Sequence, residues 1–411
     1  MPLVSGRTLR TLLSPGIRLM VFIIGGAYIS GAEVAIFSST YGSAGWLSVA
    51  TILLGFAGVT SLVFEYARVR NTTSYRMLIN DVLGRLSIVF DLLYVVTVIY
   101  LLSVVMSVAG AVLQAGVCRT IPCSSILPLR FRLTFVVVPL AVVVYLGAVD
   151  ERGTYGVLDW FLNRVGYLIL AAVAGFSLLV LLERYPQIIG IFTPAARAVP
   201  ASAGAQRVVW KGIVYVGIHL PAYPLIIHHL FESRDGQQRH IFDSGRQSLV
   251  SGCLAGVVMT LPFFLTYLVQ MGYYPQPRII EAEIPWLPIV ANIADPTAVW
   301  AYVLVVASAF IATTVGLTQT LTLRLSETVD RVSVGPFAGR NGMSGRERAV
   351  VLTGLLLVAV ALSQYGVRNL ISIGYVMFTL VYLVAFALPL GIGGVRHIYR
   401  GHHDDSDRGD G

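Results

Sequence analysis

Ten stretches of about twenty apolar residues, parted by short polar interruptions, run through this 411-residue chain. A run of that length crosses the roughly 30 Å hydrocarbon core of a bilayer as a single helix. Inside hydrocarbon a backbone has no water to bond, so helices and closed barrels are the only spanning forms. Composition agrees: 56% of residues are hydrophobic and 12% charged, with a mean hydropathy of +0.77, whereas soluble domains carry about a quarter charged residues. The expectation is an all-α polytopic membrane protein.

The runs cover residues 19–38, 43–67, 86–116, 133–149, 157–182, 208–230, 248–271, 297–323, 348–364 and 367–394. The third, at 31 residues, exceeds a perpendicular crossing and is expected to tilt or protrude. The first run follows Arg7, Arg10 and Arg18 and lacks a small-residue cleavage site, so it reads as an uncleaved span rather than a signal peptide. This divides the chain into an N-terminal arm (1–18), a first five-helix unit (19–182), a loop (183–207), a second five-helix unit (208–394) and a polar tail (395–411) expected to be disordered.

Cytoplasmic loops are enriched in basic residues. With the N-terminus inside, 19 of the 29 basic residues fall on the cytoplasmic side and nine outside, with Arg164 within a span. Both termini are therefore expected in the cytoplasm, with the chain in the cell membrane. The net charge of +8 needs no nucleic acid, since anionic lipid head groups attract it. Cys118 and Cys123 fall in an outer loop, either as a short-range disulfide or as two free thiols.

Within the first run, residues 25–33 read GGAYISGAE, three glycines, a serine and a carboxylate. Unwound backbone at mid-membrane is tolerated only where protein or a watery cavity meets it. The sixth run has a second interruption in VYVGIHLPAYPLIIHH, with Gly217, Pro221 and Pro224. Paired breaks in two halves point to the binding site of a secondary transporter. The breaks are five spans apart, an odd number, so the second half enters from the opposite face. The expected architecture is ten transmembrane helices in a five-plus-five inverted repeat, with helices one and six broken.

Several segments resemble the YkvI family of bacterial membrane proteins, within the amino acid/polyamine/organocation superfamily and its LeuT-like fold. The first-helix signature of that family reads roughly G-A-G-F-A-S-G-Q-E, and Gly25 to Glu33 lies over it, departing at Ala27 and Ala32. EIPWLPIVANI, ATTVGLTQTL and YGVRNLISIGYVMFTLVYLV also resemble family segments. The resemblance implies alternating-access transport of a small organic solute, amino acid or amine-like, coupled to sodium or protons. It implies a solute site at Gly26, Tyr28, Ser30, Gly31, Glu33, Tyr215, Gly217 and His219, where carbonyls and amides freed by the two breaks bind the solute. It also implies a sodium site among Ala27, Ser30, Thr313 and Thr314.

Other intramembrane polar residues carry two readings. Arg164 is either a fixed counter-charge replacing sodium or a side chain snorkelling to the interface beside Asp159. Glu33 would bind a cation, carry a proton or cap the amides beyond the break. Thr313 and Thr314 would hold an ion or back-bond to their own helix. His219 is a pH-sensitive contact or a backbone partner, while His228 and His229 sit near a helix end. The chain has no H-E-x-x-H, Walker or G-x-S-x-G motif, so no enzyme and no organic cofactor are expected. A solute sensor on the same scaffold is the alternative to a carrier; the oligomeric state is not indicated.

Overall fold

Residues 6–23, 26–120, 155–193, 204–234, 237–293, 296–331 and 345–396 are described by the structure, a computed structural model. The fourth apolar run, Cys123 and the tail beyond residue 396 lie outside the described residues, and so does the side chain of Cys118.

The first span is assembled from three helical pieces. Helix α1 (Gly6–Ile23) starts well before the apolar run; α2 (Gly26–Ile29) follows, and the helix is lost at Ser30 and Gly31 before α3 (Ala32–Phe37) resumes it. Gly31 has φ of +78°, in the left-handed region that costs a residue with a Cβ about 1–2 kcal/mol. A 3-10 stretch, Ser39–Gly45, leads into α4 (Trp46–Arg70), the second span, which stops at left-handed Asn71. Helix α5 (Tyr75–Leu83) is capped by Ser74, whose hydroxyl accepts the Met77 amide.

Helices α6 (Ser87–Thr120) and α7 (Tyr155–Phe192) have 34 and 38 residues. At about 1.5 Å per residue both outreach the hydrocarbon core, as expected for α6. Helix α7 runs through Pro186 to Phe192, so residues 183–192 are helix and not loop.

The sixth span differs from its expected form. Helix α8 (Ala205–Ile218) gives way at His219 to a 3-10 turn (Leu220–Ala222), then to α9 (Tyr223–Ile226). His219 has φ −90° and ψ −4°, so the chain tightens there without unwinding. Pro221 and Pro224 fall at the first positions of short helical pieces, where a missing amide hydrogen costs nothing. Gly217 has another cause: a Cβ there would lie 2.2 Å from Thr379 Cγ2.

Between the sixth and seventh spans the polar sequence forms an antiparallel hairpin, β1 (Phe231–Arg234) and β2 (Gln237–His240), with Phe231 opposite His240. The sequence reading had a loop here. Helix α10 (Gly245–Met271) covers the seventh apolar run, called here the seventh span; α11 (Pro277–Ile280) and α12 (Trp286–Ile293) are short, and α13 (Pro296–Arg331) and α14 (Gly345–Ser363) cover the eighth and ninth runs. The tenth, Val367–Gly394, alternates α-helix with three π-helical stretches. Among the described residues, five helical segments are long and apolar enough to cross a membrane: Ser39–Arg70, Ser87–Ala115, Tyr167–Phe192, Gly245–Met271 and Val367–Gly394. The chain is an integral membrane protein.

The most extensive contact joins the second and seventh spans. Gly252 and Gly256, one turn apart on α10, face Ser61 and Ala57 on α4; a Cβ on either glycine would come within 2.4 Å and 2.6 Å of that backbone. Small residues four apart on both partners let two helices approach at backbone distance, the principal source of association in lipid. Gly16 of α1 meets Ala255 in the same way, at 2.7 Å. Because α4 and α10 hold their positions through this seam, the broken first span that packs on α10 has a fixed wall behind it.

Candidate functional site

The break in the first span is closed by donors from three other segments. Tyr302 on α13 donates its hydroxyl to the Ile29 carbonyl at 3.0 Å. The Trp286 amide donates to the Ser30 carbonyl at 3.2 Å, and Gln270 Nε2 to the Gly31 carbonyl at 2.9 Å. The Ser30 hydroxyl accepts the Ala32 amide at 3.0 Å, which opens α3. A buried carbonyl left without a donor costs about 1–3 kcal/mol, so these contacts make the break tenable. The carbonyls at Ile29, Ser30 and Gly31, expected to be freed by the break, each accept one of these donors, and that of Gly31 also accepts the Ala35 amide at 3.0 Å.

Beyond the break, Glu33 is 2% exposed. The Tyr375 hydroxyl of the tenth span donates to its Oε1, and the Tyr215 hydroxyl lies close enough to interact with the same carboxylate. Its Oε2 is buried and lacks a hydrogen-bond partner. Aromatic rings surround it. Phe37, one turn along α3, stacks on Tyr375 with centroids 5.7 Å apart and an interplanar angle of 16°, and tilts against Tyr215 at 5.7 Å. Tyr28 and Tyr100 lie within electrostatic range of the carboxylate. Tyr28 is fixed by a 3.0 Å hydrogen bond to Thr266, and Tyr100 donates to the Leu370 carbonyl. Gly374 leaves the space Tyr100 occupies, since a Cβ there would meet the ring at 2.2 Å. Lys211 Nζ sits 5.5 Å above the Phe37 ring.

Of the solute-site residues expected from sequence, Tyr28, Glu33 and Tyr215 come together here. Ser30 and Gly31 form the break, and Gly26 opens α2. Gly217 is a packing residue against Thr379. His219 Nδ1 meets the Tyr215 carbonyl at 2.7 Å and its ring packs on Tyr215 at 4.7 Å, the backbone-partner reading. His229 contacts Arg18, tying the sixth span to the first.

Of the expected sodium ligands, Ser30 forms the break in the first span, and Thr313 and Thr314 lie on α13. The eighth-span side chain that reaches the break is Tyr302, and Thr314 lies twelve residues further along α13, about 18 Å of helix. Thr314 is fully buried and its hydroxyl has no hydrogen-bond partner; the back-bonding hydroxyl is Thr318, which donates to the Thr314 carbonyl at 2.7 Å. Arg164 is exposed on α7, eight residues and about 12 Å along the helix from Ala172, which lines a small apolar cleft beside Ile29 and Tyr302. Among the described residues no group of three or more His, Cys, Asp and Glu side chains is placed to hold a metal.

Sequence reasoning missed Phe37, Tyr100, Gln270, Trp286, Tyr302 and Tyr375. Trp286 and Tyr375 stand inside two of the family-like segments, EIPWLPIVANI and YGVRNLISIGYVMFTLVYLV. The others offered only the weak signal of polar groups on apolar helices.

No protein-family profile matches the chain, and no curated protein matches it in sequence. Solved structures do. Mhp1 in an inward-facing conformation superposes with a TM-score of 0.54 at 13% identity, over 94% of this chain and 75% of that one. A mutant manganese transporter of Eremococcus coleocola gives 0.54 at 13% identity, over 95% and 80%. A Na+-coupled sialic acid symporter, substrate-bound and outward-open, gives 0.52 at 13% identity, over 95% and 86%. The chain has the LeuT-like fold of these transporters, as an all-α polytopic membrane protein.

Proposed function

We propose that this protein is a secondary carrier moving a small organic solute across the cytoplasmic membrane by alternating access, with both termini in the cytoplasm and sodium or proton coupling. One observation carries the reading. A buried carboxylate, Glu33, stands directly beyond a helix break at the centre of the fold, enclosed by side chains from the first, third, sixth and tenth spans. A site built from many spans at mid-depth is what alternating access requires, because each face reaches it when those spans shift against one another. The fold shared with proteins named as transporters supports the reading. Their cargoes, a manganese ion and a sialic acid among them, differ too widely to transfer. The family-like segments support a place near the YkvI family, and the absence of the known enzymatic motifs fits a carrier.

The test is counterflow in proteoliposomes: purified protein, a panel of amino acids and amines, and imposed sodium or proton gradients. Gradient-driven accumulation of any one solute supports the carrier, and the ion whose gradient drives it is the coupling ion. The buried Thr314 hydroxyl is the first position to substitute if that ion is sodium. Solute binding with no accumulation under either gradient would overturn the carrier reading in favour of a membrane sensor.

A further inference from the structure

We propose that Lys211 and Arg207 form an anion site at the mouth of the sixth span, one that takes the carboxylate of a small organic acid. This names the charge of the solute and to that extent rests on the carrier reading. Arg207, Lys211 and Tyr215 follow one another at four-residue intervals on α8, so they share one stripe of the helix. Arg207 is exposed, Lys211 is partly buried, and Tyr215 is buried where its hydroxyl interacts with Glu33. The stripe therefore leads inward from the surface, two cations first.

What Lys211 meets there is the Phe37 ring, 5.5 Å from its Nζ, and a ring face compensates a cation only weakly. Arg207 is near enough to repel the ammonium, and like charges four residues apart weaken a helix. No acidic side chain answers either one. The ion pairs among the described residues join Arg68 to Glu65, Arg70 to Asp81 and Arg184 to Glu183. Two cations that repel each other, one of them partly out of water, call for a negative charge that the chain does not supply.

Hydroxyls near the pair suit the same ligand. Ser39 opens the 3-10 stretch against which α8 packs, and Ser48 lies on α4, its carbonyl 2.8 Å from where a Cβ on Gly212 would sit. Both serines are fully buried, and neither hydroxyl has a hydrogen-bond partner. Tyr41, in the same 3-10 stretch, lies within electrostatic range of Arg207. A carboxylate accepts several hydrogen bonds at once, and an ammonium, a guanidinium and hydroxyls all donate. A cation would meet only like charge here.

The experiment is calorimetric titration of the full chain in nanodiscs with sodium propionate, against sodium chloride at matched concentration. Saturable binding of propionate is expected, and none of chloride. Lys211→Met, which keeps the length and loses the charge, should weaken propionate about tenfold or more, as loss of a hydrogen bond to a charged group demands; Arg207→Gln should weaken it less. Lys211 is the only lysine of the chain, so propionate should also slow its acetylation by acetic anhydride, followed by mass spectrometry on the parent protein. That measurement decides the matter if the variants do not fold. No propionate binding to the parent, binding unchanged in Lys211→Met, equal binding of chloride, or acetylation at an unchanged rate would each overturn the proposal. Lys211-dependent propionate binding with no solute accumulating under either gradient would retire the carrier reading and keep the site. Gradient-driven uptake of an uncharged or cationic solute, with no propionate binding, would do the reverse.

Discussion

Tyr302 and Ile29, 273 residues apart in sequence, meet through a 3.0 Å hydrogen bond from the tyrosine hydroxyl to the main-chain carbonyl at the last residue before the first span loses its helix. The acceptor is buried, and the apolar cleft beside it is lined also by Trp286, whose indole N–H has no hydrogen-bond partner. Tyr302→Phe removes the hydroxyl with little change of shape. It should lower stability by about 1–3 kcal/mol, read as a fall in unfolding temperature in detergent. An unchanged midpoint would mean that the break finds another donor.

Gly31→Ala tests the break itself. The alanine must hold φ near +78° and its Cβ would come within 2.8 Å of Trp286 Cδ1 and 3.0 Å of Gln270 Nε2. Backbone strain alone costs about 1–3 kcal/mol, and the indole must move. A shifted tryptophan emission together with lost thermal stability is expected. An emission spectrum and midpoint matching the parent would refute the left-handed geometry.

Two glycine substitutions on neighbouring helices should behave in opposite ways. Gly256→Val forces α10 away from Ala57, because the backbone is already at contact distance, and should abolish recovery of monodisperse protein. Gly58→Ala places its methyl where nothing lies within 4 Å and should leave the unfolding midpoint level or slightly raised, since alanine is the better helix former. Comparable yields from the two would contradict the seam.

His240, in the hairpin outside the spans, gives a pH dependence of known sign. Burial, helped by the nearby Arg68 guanidinium, pushes its imidazole down from 6.5 to about 4, while Glu65 acts the other way. The Phe242 amide donates to its Nδ1 at 3.1 Å, which fixes the neutral form with the proton on Nε2. The folded chain therefore binds fewer protons than the unfolded one. Stability is full above about pH 6.5 and declines as pH falls toward 4. His240→Gln should flatten the midpoint between pH 7.5 and 5, measured against Glu65→Gln to separate the neighbouring carboxylate. Equal slopes in parent and His240→Gln would remove His240 as the cause.

Much of the fold was legible because hydrocarbon imposes a single rule on every span. Residues 43–67 and 248–271 read as apolar runs and became α4 and α10 with small shifts at their ends. The break at Gly31 was legible too, since three glycines beside a carboxylate have few other uses in a span. An interruption at His219 was legible, but not its form: the helix gives way there to a 3-10 turn, the glycine answers to Thr379 and the prolines sit where helical pieces begin. Half of the candidate site escaped for a plainer reason. Tyr100, Tyr302 and Tyr375 are three among 20 tyrosines, and which of them face inward depends on how distant spans are rotated. The hairpin at 231–240 was hidden because its pairing serves to bury Phe231 and His240 against each other, a local need that the polar sequence around them masks.

The glycine seam between α4 and α10 bears on how the molecule can deform. Surfaces that touch backbone to backbone slide poorly, because any shear drives Cα atoms of one helix into the other. The second and seventh spans therefore act as one beam, and the first span is hung on that beam through Gly16 and pinned at its break by Tyr302, Trp286 and Gln270. Any relative movement of the first span has to be taken up between that beam and the helices that carry Tyr302 and Tyr375.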